Sequence, residues 1–207
     1  MEGSEGEPSA TLRSQQVQAT RRAVLAAARA SFGSRGYAHT SVDGIAAAAG
    51  VTKGAVYHHF AGKEALFRAV FAEVEAEARA RAIAAGDPSG PPIDQIVAQL
   101  NAYLDVALDD EVQRITLIDG PAVLGLNLDP DADQEAAHAQ VRSFIAAAIG
   151  DGQIIDIDPD VLADVVGGLA LLGGLLIARA GDPDATRAAL GQALEAMVRG
   201  LAPDENR

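Results

Sequence analysis

Along most of the chain, apolar positions recur at helical spacing, and short Gly- and Pro-bearing breaks separate the runs. Val17, Val24, Leu25, Ala28 and Phe32 mark one face of a first helix, from about Ser14 to Ser34, ended by Gly33 and Gly36. Thr40 with Asp43 three residues later has the spacing of a capping box. It predicts a short second helix with Ile45, Ala46 and Ala49 on its apolar face. Gly50 suits a left-handed helix stop, Val51 plugs the turn, and Thr52 is a good N-cap for a third helix. Val56 and Phe60 direct that helix into a core and leave Lys53, Gly54, Tyr57 and His58 outside. A fourth helix opens at Gly62-Lys63-Glu64, with Leu66, Phe67, Val70, Phe71 and Val74 as its buried stripe. It runs to a Gly- and Pro-rich break at 86–92.

Further helical patterns follow. They cover Ile93 to Leu108, Val112 to about Leu126 with an interruption at Gly120-Pro121, and Asp131 to Ile149. Two more follow Pro159 and Pro183, at Val161–Ala180 and Asp184–Leu201. Ile154–Asp158 reads as a brief extended link, and no stretch reads as a sheet. The fold class expected is all-α, with about nine helices. Three regions are expected: a disordered arm at 1–12, a three-helix head at 13–62, and a helical body at 63–202.

The longest apolar run, Val165 to Ala178, spans 14 residues. A membrane span needs about 20, so a buried helix is expected and no membrane partner. The N-terminus is acidic and polar without the apolar core of a signal peptide, and the chain has no Cys. Both fit a cytoplasmic protein. The net charge is −13, which argues against a polyanion partner until its distribution is considered. From Thr11 to Lys63, seven Lys and Arg face Asp43 alone, a net +6 that leaves −19 for the rest. A basic lobe on an acidic chain binds phosphates locally while the remainder repels them.

The second and third helices form a helix-turn-helix, a module that presents polar and basic side chains to a DNA major groove. Thr52, Lys53, Tyr57, His58 and His59 lie on its second helix. His58 and His59 are adjacent on a helix and do not converge on one metal. His39 and His138 have no evident partners. Asp129, Asp131 and Asp133 begin like a calcium loop, but Gln134 and Gln140 stand where Gly and Glu are required. Asp156, Asp158 and Asp160 fail similarly, at Val161 and Gly167, and read as loop and cap residues. No nucleophile, zinc-protease or phosphate-loop motif is present, so no enzyme, metal or cofactor is expected.

The stretch Gly36–Phe67 resembles the TetR family of bacterial transcriptional regulators. The resemblance is carried by GY before the second helix, TSV at its start, IA..AGV through the turn, TKGAVYHHF and GKEALF. It implies a homeodomain-like head that binds a double-stranded DNA operator, a helical body, a homodimer, and usually a repressor released by a small-molecule effector. Gln113–Gly125 resembles a body segment of many actinobacterial members, in which a Trp often follows; here Leu126 does. The resemblance gives Lys53 a phosphate or base-edge contact. Tyr57 and Lys63 suit phosphates, Gly54 a close approach to the backbone, and His58 and His59 further contacts. Thr40, Ser41 and Thr52 act as caps alone or as caps that also touch phosphates. Arg13, Arg21 and Arg22 reach the duplex or are solvated.

For self-association, the last two helices carry more apolar surface than one helix hairpin buries easily. Leu162, Val166, Leu169, Gly173 and Leu176 are expected at a dimer interface, with Leu190, Leu194, Met197 and Val198. Gly167, Gly168 and Gly174 add flat patches. Tyr103, Arg114, Thr116, Asp119 and His138 are the polar candidates for an effector site in the body. An activator or a ligand-independent regulator is the alternative of the same fold. A helical enzyme and an interaction adaptor are the rivals from other classes.

Overall fold

The computed structural model describes the backbone of residues 7–84, 89–125 and 132–203. Side chains are described from residue 14 and, beyond the second gap, from residue 139. The expectations for Arg13, Leu126, Asp129, Asp131, Asp133 and His138 fall outside this set. Among the described residues the chain is all-helical. The helices are α1 (Glu7–Arg35), α2 (Val42–Ala48), α3 (Lys53–His59), α4 (Lys63–Ala84), α5 (Pro92–Val106) and α6 (Asp110–Val112). A π-helical segment, Gln113–Asp119, follows, then α7 (Gly120–Leu124), α8 (Ala132–Gly150), α9 (Pro159–Ala178) and α10 (Pro183–Arg199). The first helix therefore begins seven residues earlier than Ser14 and occupies much of the expected arm.

Two compact units divide between Glu73 and Val74, inside α4, rather than at 62/63. The reason is packing. Leu66, Phe67 and Val70 of α4 are fully buried, and the Phe67 ring meets Phe32 of α1 edge-on at 5.1 Å. The first three turns of α4 thus complete the core of the head. Val24, Leu25, Ala28, Ile45, Ala46, Val56 and Phe60 supply the rest of it. Val17, expected on the same face of α1, is 38% exposed.

In the second unit α5 packs against α8, α9 and α10. Its core joins Ile96, Leu100 and Leu104 of α5 to Ile145 and Ala148 of α8. Leu162, Val166 and Ile177 of α9 and Leu194 and Val198 of α10 close it. Polar clamps hold α10 to α5: Arg187 Nε pairs with Asp105 at 2.5 Å, and Arg199 Nη1 with Asp94 at 3.0 Å. The π segment has a local cause. Pro121 has no N–H for the helical ladder, and Gly120 N–H bonds back five residues to the carbonyl of Ile115. The 154–158 link holds Ile154 in the core and donates from Ile155 N–H to Leu201 at 2.8 Å.

Candidate nucleic-acid interface

The head's turn is built by its own backbone. Gly50 has φ 67°, the left-handed region that glycine enters without strain. Its N–H reaches Ala47 at 3.2 Å, and Val51 N–H reaches Ala46 at 3.0 Å, closing the last carbonyls of α2. Thr52 Oγ1 accepts from Ala55 N–H at 3.2 Å and starts α3. The cap of α2 is Ser41, whose Oγ accepts from Gly44 N–H at 3.1 Å, and not Thr40. Thr40 is only 3% exposed. Its hydroxyl donates to Gly36 at 2.8 Å and lies 3.1 Å from the Ser31 carbonyl. Gly36, at φ 76°, turns the chain so that these carbonyls at the end of α1 face Thr40. Thr40 therefore satisfies the interior of the head and has no hydroxyl to offer a phosphate.

Helix α3 buries Val56 and is followed by buried Phe60, which fixes its orientation on the head. Lys53, Gly54, Tyr57 and His58 are exposed, and His59 is half-buried with its ring edge-on to His58 at 5.2 Å. Lys53 Nζ lies 2.8 Å from Asp43 Oδ2. The hydrogen bond to Asp43, and then its charge, raise the Lys53 pKa above its ordinary value. Gly54 has room for a Cβ, whose nearest neighbour would be Thr52 Oγ1 at 3.8 Å. Nothing inside the described protein requires glycine there.

Other cations rest on aromatic rings. Lys63 Nζ sits 4.0 Å from the Tyr37 ring centroid, and the Arg21 guanidinium 5.3 Å from that of Phe60. The Tyr37 ring is itself stacked on Phe32 at 5.9 Å and edge-on to Phe67 at 5.1 Å. Burial, then the charge of Glu64, push the Tyr37 phenol up. These two ring contacts and the Asp43 pair join residues of different elements and leave no local signature in the sequence. Only the isolation of Asp43 among basic residues points to it in the sequence.

The effector candidates have separate environments. Arg114 is exposed, whereas Thr116 is buried and donates to the Val112 carbonyl at 2.7 Å. Asp119 is half-buried. Tyr103 packs toward Gly174 of α9, and its phenol is pushed up to about 12. Burial is the main cause, Glu75 adds to it, and Arg79 opposes. The interface candidates divide by burial. Leu162, Val166, Gly173, Leu194 and Val198 are buried inside the second unit, and Leu169 and Leu190 pack on its core. A Cβ on Gly173 would meet Leu104 at 2.9 Å, and one on Gly174 would meet Leu117 at 3.2 Å. Leu176 and Met197 are exposed, together with Val161, Val165 and Leu172, all between 46% and 54%. On α9, Val161, Val165, Leu172, Leu176 and exposed Gly168 lie on the face away from the core. By length and composition α9 is apolar enough to cross a membrane. Its buried face, however, packs on α5, α8 and α10.

Two family models match. Residues 24–70 match the bacterial regulatory proteins of the tetR family, and residues 93–201 the tetracyclin repressor-like C-terminal domain. A solved TetR-family regulator from Pectobacterium atrosepticum is 36% identical, with 92% of this chain and 97% of that one covered and a TM-score of 0.81. The HTH-type regulator AcrR of Shigella flexneri is 45% identical over 56 residues, which is 27% of this chain and 26% of AcrR. The match thus spans about a quarter of that curated relative. AibR, solved with isovaleryl coenzyme A and operator DNA, shares the fold at 23% identity. It covers 86% of this chain and 97% of its own, with a TM-score of 0.57. A head built on a helix-turn-helix, a helical second unit and matches to both halves agree: the chain belongs to the TetR family of bacterial transcriptional regulators, a family of DNA-binding proteins and not of enzymes.

Proposed function

We propose that this protein is a cytoplasmic transcriptional repressor that binds a near-palindromic operator as a homodimer and is released by a small-molecule effector. The observation that carries the DNA-binding part is the orientation of α3. Val56 and Phe60 hold it on the head, so Lys53, Gly54, Tyr57 and His58 face outward together. In this reading each head lays α3 in a major groove. Half-sites lie about 34–36 Å apart, or a multiple of that. Lys53, Tyr57 and Lys63 contact phosphates or base edges, His58 and His59 lie along the same groove, and Ser41 and Thr52 serve first as caps. Gly54 supports the reading, because its missing side chain meets no need within the head and lets a duplex approach closely.

The exposed apolar stripe on α9, with Met197 on α10, supports the homodimer. A stripe of this kind is covered when two copies pair their last two helices. Release is proposed to act through α4, which carries residues of both compact units in one unbroken helix. An effector bound in the body shifts α4 and changes the separation of the two heads.

Fluorescence anisotropy on the gene's own upstream region tests this. Lys53→Ala and Gly54→Ala should both weaken binding. Gly54→Ala should leave the fold intact or stabilise it by about 1 kcal/mol, since Ala is the better helix former. Unchanged affinity in both variants would remove α3 from the interface. An effector that saturates the protein without lowering operator affinity would defeat the release mechanism.

A further inference from the structure

Between Thr11 and Lys63 the chain has one acidic residue, Asp43. It lies in the first turn of α2, just after the Ser41 cap, and its Oδ2 is 2.8 Å from Nζ of Lys53, the first residue of α3. The pair thus joins the first turns of the two helices of the helix-turn-helix. The two side chains are 68% and 51% exposed, so burial holds neither in place. Local electrostatics do. The positive end of a helix dipole favours Asp43 on α2 and disfavours Lys53 on α3. Lys53 therefore gains from an anion in front of it, and in the free head Asp43 is that anion. A phosphate is the other anion this position suits. Exposed pairs of this kind are weak and exchange readily.

We propose that Asp43 is a latch on Lys53 that sets the strength of sequence-independent DNA binding; this rests on the DNA-binding reading above. Lys53 must leave Asp43 to reach a phosphate. The freed carboxylate then faces the polyanion and opposes the contact. The latch lowers the net positive charge that α3 presents to any duplex, so fewer counterions are released on binding. Base-edge contacts, which depend on sequence, then account for a larger share of the discrimination between sites.

The test uses the full-length protein and a fluorescent random-sequence duplex, titrated over a range of salt. Asp43→Asn should bind several-fold more tightly at low salt. Its slope of log K against log salt should be steeper, by less than the roughly 0.9 that one neutralised phosphate contributes per bound head. Lys53→Met should bind more weakly with a shallower slope. In the Lys53→Met background, Asp43→Asn should change little. Asp43→Ser should move the slope in the same direction as Asp43→Asn, which separates the loss of charge from any new hydrogen bond. An Asp43→Asn slope equal to that of wild type, with Lys53→Met still weakened, would overturn the latch and leave the DNA-binding reading standing. An equal gain from Asp43→Asn with or without Lys53 would also overturn it, because Asp43 would then act only as bulk charge. Wild-type behaviour of Lys53→Met would overturn Lys53 as a DNA contact and the latch with it.

Discussion

Leu172 lies on the exposed stripe of α9 and is 52% exposed in the protomer. Burying a leucine side chain fully is worth about 1.5–3 kcal/mol. Roughly half of that, about 1 kcal/mol, is still available for a partner to gain. A two-fold interface presents Leu172 twice, so Leu172→Ala should cost the dimer about 2 kcal/mol, or about 30-fold in Kd. Leu172→Asp should cost more. Each carboxylate would face an apolar partner with no counter-charge, at a further cost of several kcal/mol. Neither change touches the protomer's core, so helix content and the cooperativity of thermal unfolding should persist. Leu162→Ala is the contrasting case. Leu162 is buried, and its truncation should destabilise the protomer itself by about 2–5 kcal/mol. Sedimentation across a dilution series reads association, and melting of a dilute sample reads the protomer. The reasoning fails if wild-type protein is monomeric throughout, or if Leu172→Asp associates as tightly as wild type.

Three further outcomes follow from particular contacts. Gly168 has open space where a Cβ would stand, whereas a Cβ on Gly173 meets buried Leu104 at 2.9 Å. Gly168→Ala should raise protomer stability by about 1 kcal/mol in thermal melts, and Gly173→Ala should lose that gain to about 1–3 kcal/mol of overpacking. Thr40→Val should destabilise the head by about 1–3 kcal/mol, because the carbonyls of Gly36 and Ser31 lose their buried donor. A salt slope of DNA binding identical to wild type in this variant would agree with its internal role. Tyr103 should ionise near pH 12 in an absorbance titration of phenolate. A tyrosine pKa raised by folding stabilises the neutral form. That contribution is complete below the ordinary value of about 10 and is lost as pH rises through 12, so removing it with Tyr103→Phe should flatten stability over that window.

Most helix positions were legible in the sequence, because Gly, Pro and cap residues act locally. The stop at Gly50, the start at Thr52, and the helices opening at Pro159 and Pro183 all lie where local chemistry places them. Val56 and Phe60 also fix the outward face of α3, since a short amphipathic helix has one apolar side to bury. The cap of α2 was misplaced by one residue. Thr40 and Ser41 are both good caps, and only the carbonyls at the end of α1 decide between them.

Helix α9 marks the limit of the sequence. It is apolar nearly all round, so its periodicity points in no direction. The expected interface therefore mixed residues of two faces, Leu162 and Val166 from the core side and Leu176 from the exposed side. The packing of Leu104 and Leu117 against Gly173 and Gly174 settles which face turns inward. The same holds for the pairs Lys53 with Asp43 and Lys63 with Tyr37. The order of residues along the chain determined by itself that the basic charge gathers in the N-terminal third. Which anion or ring each cation meets was decided by the tertiary structure, because those partners come from different helices and only packing sets the distance between them.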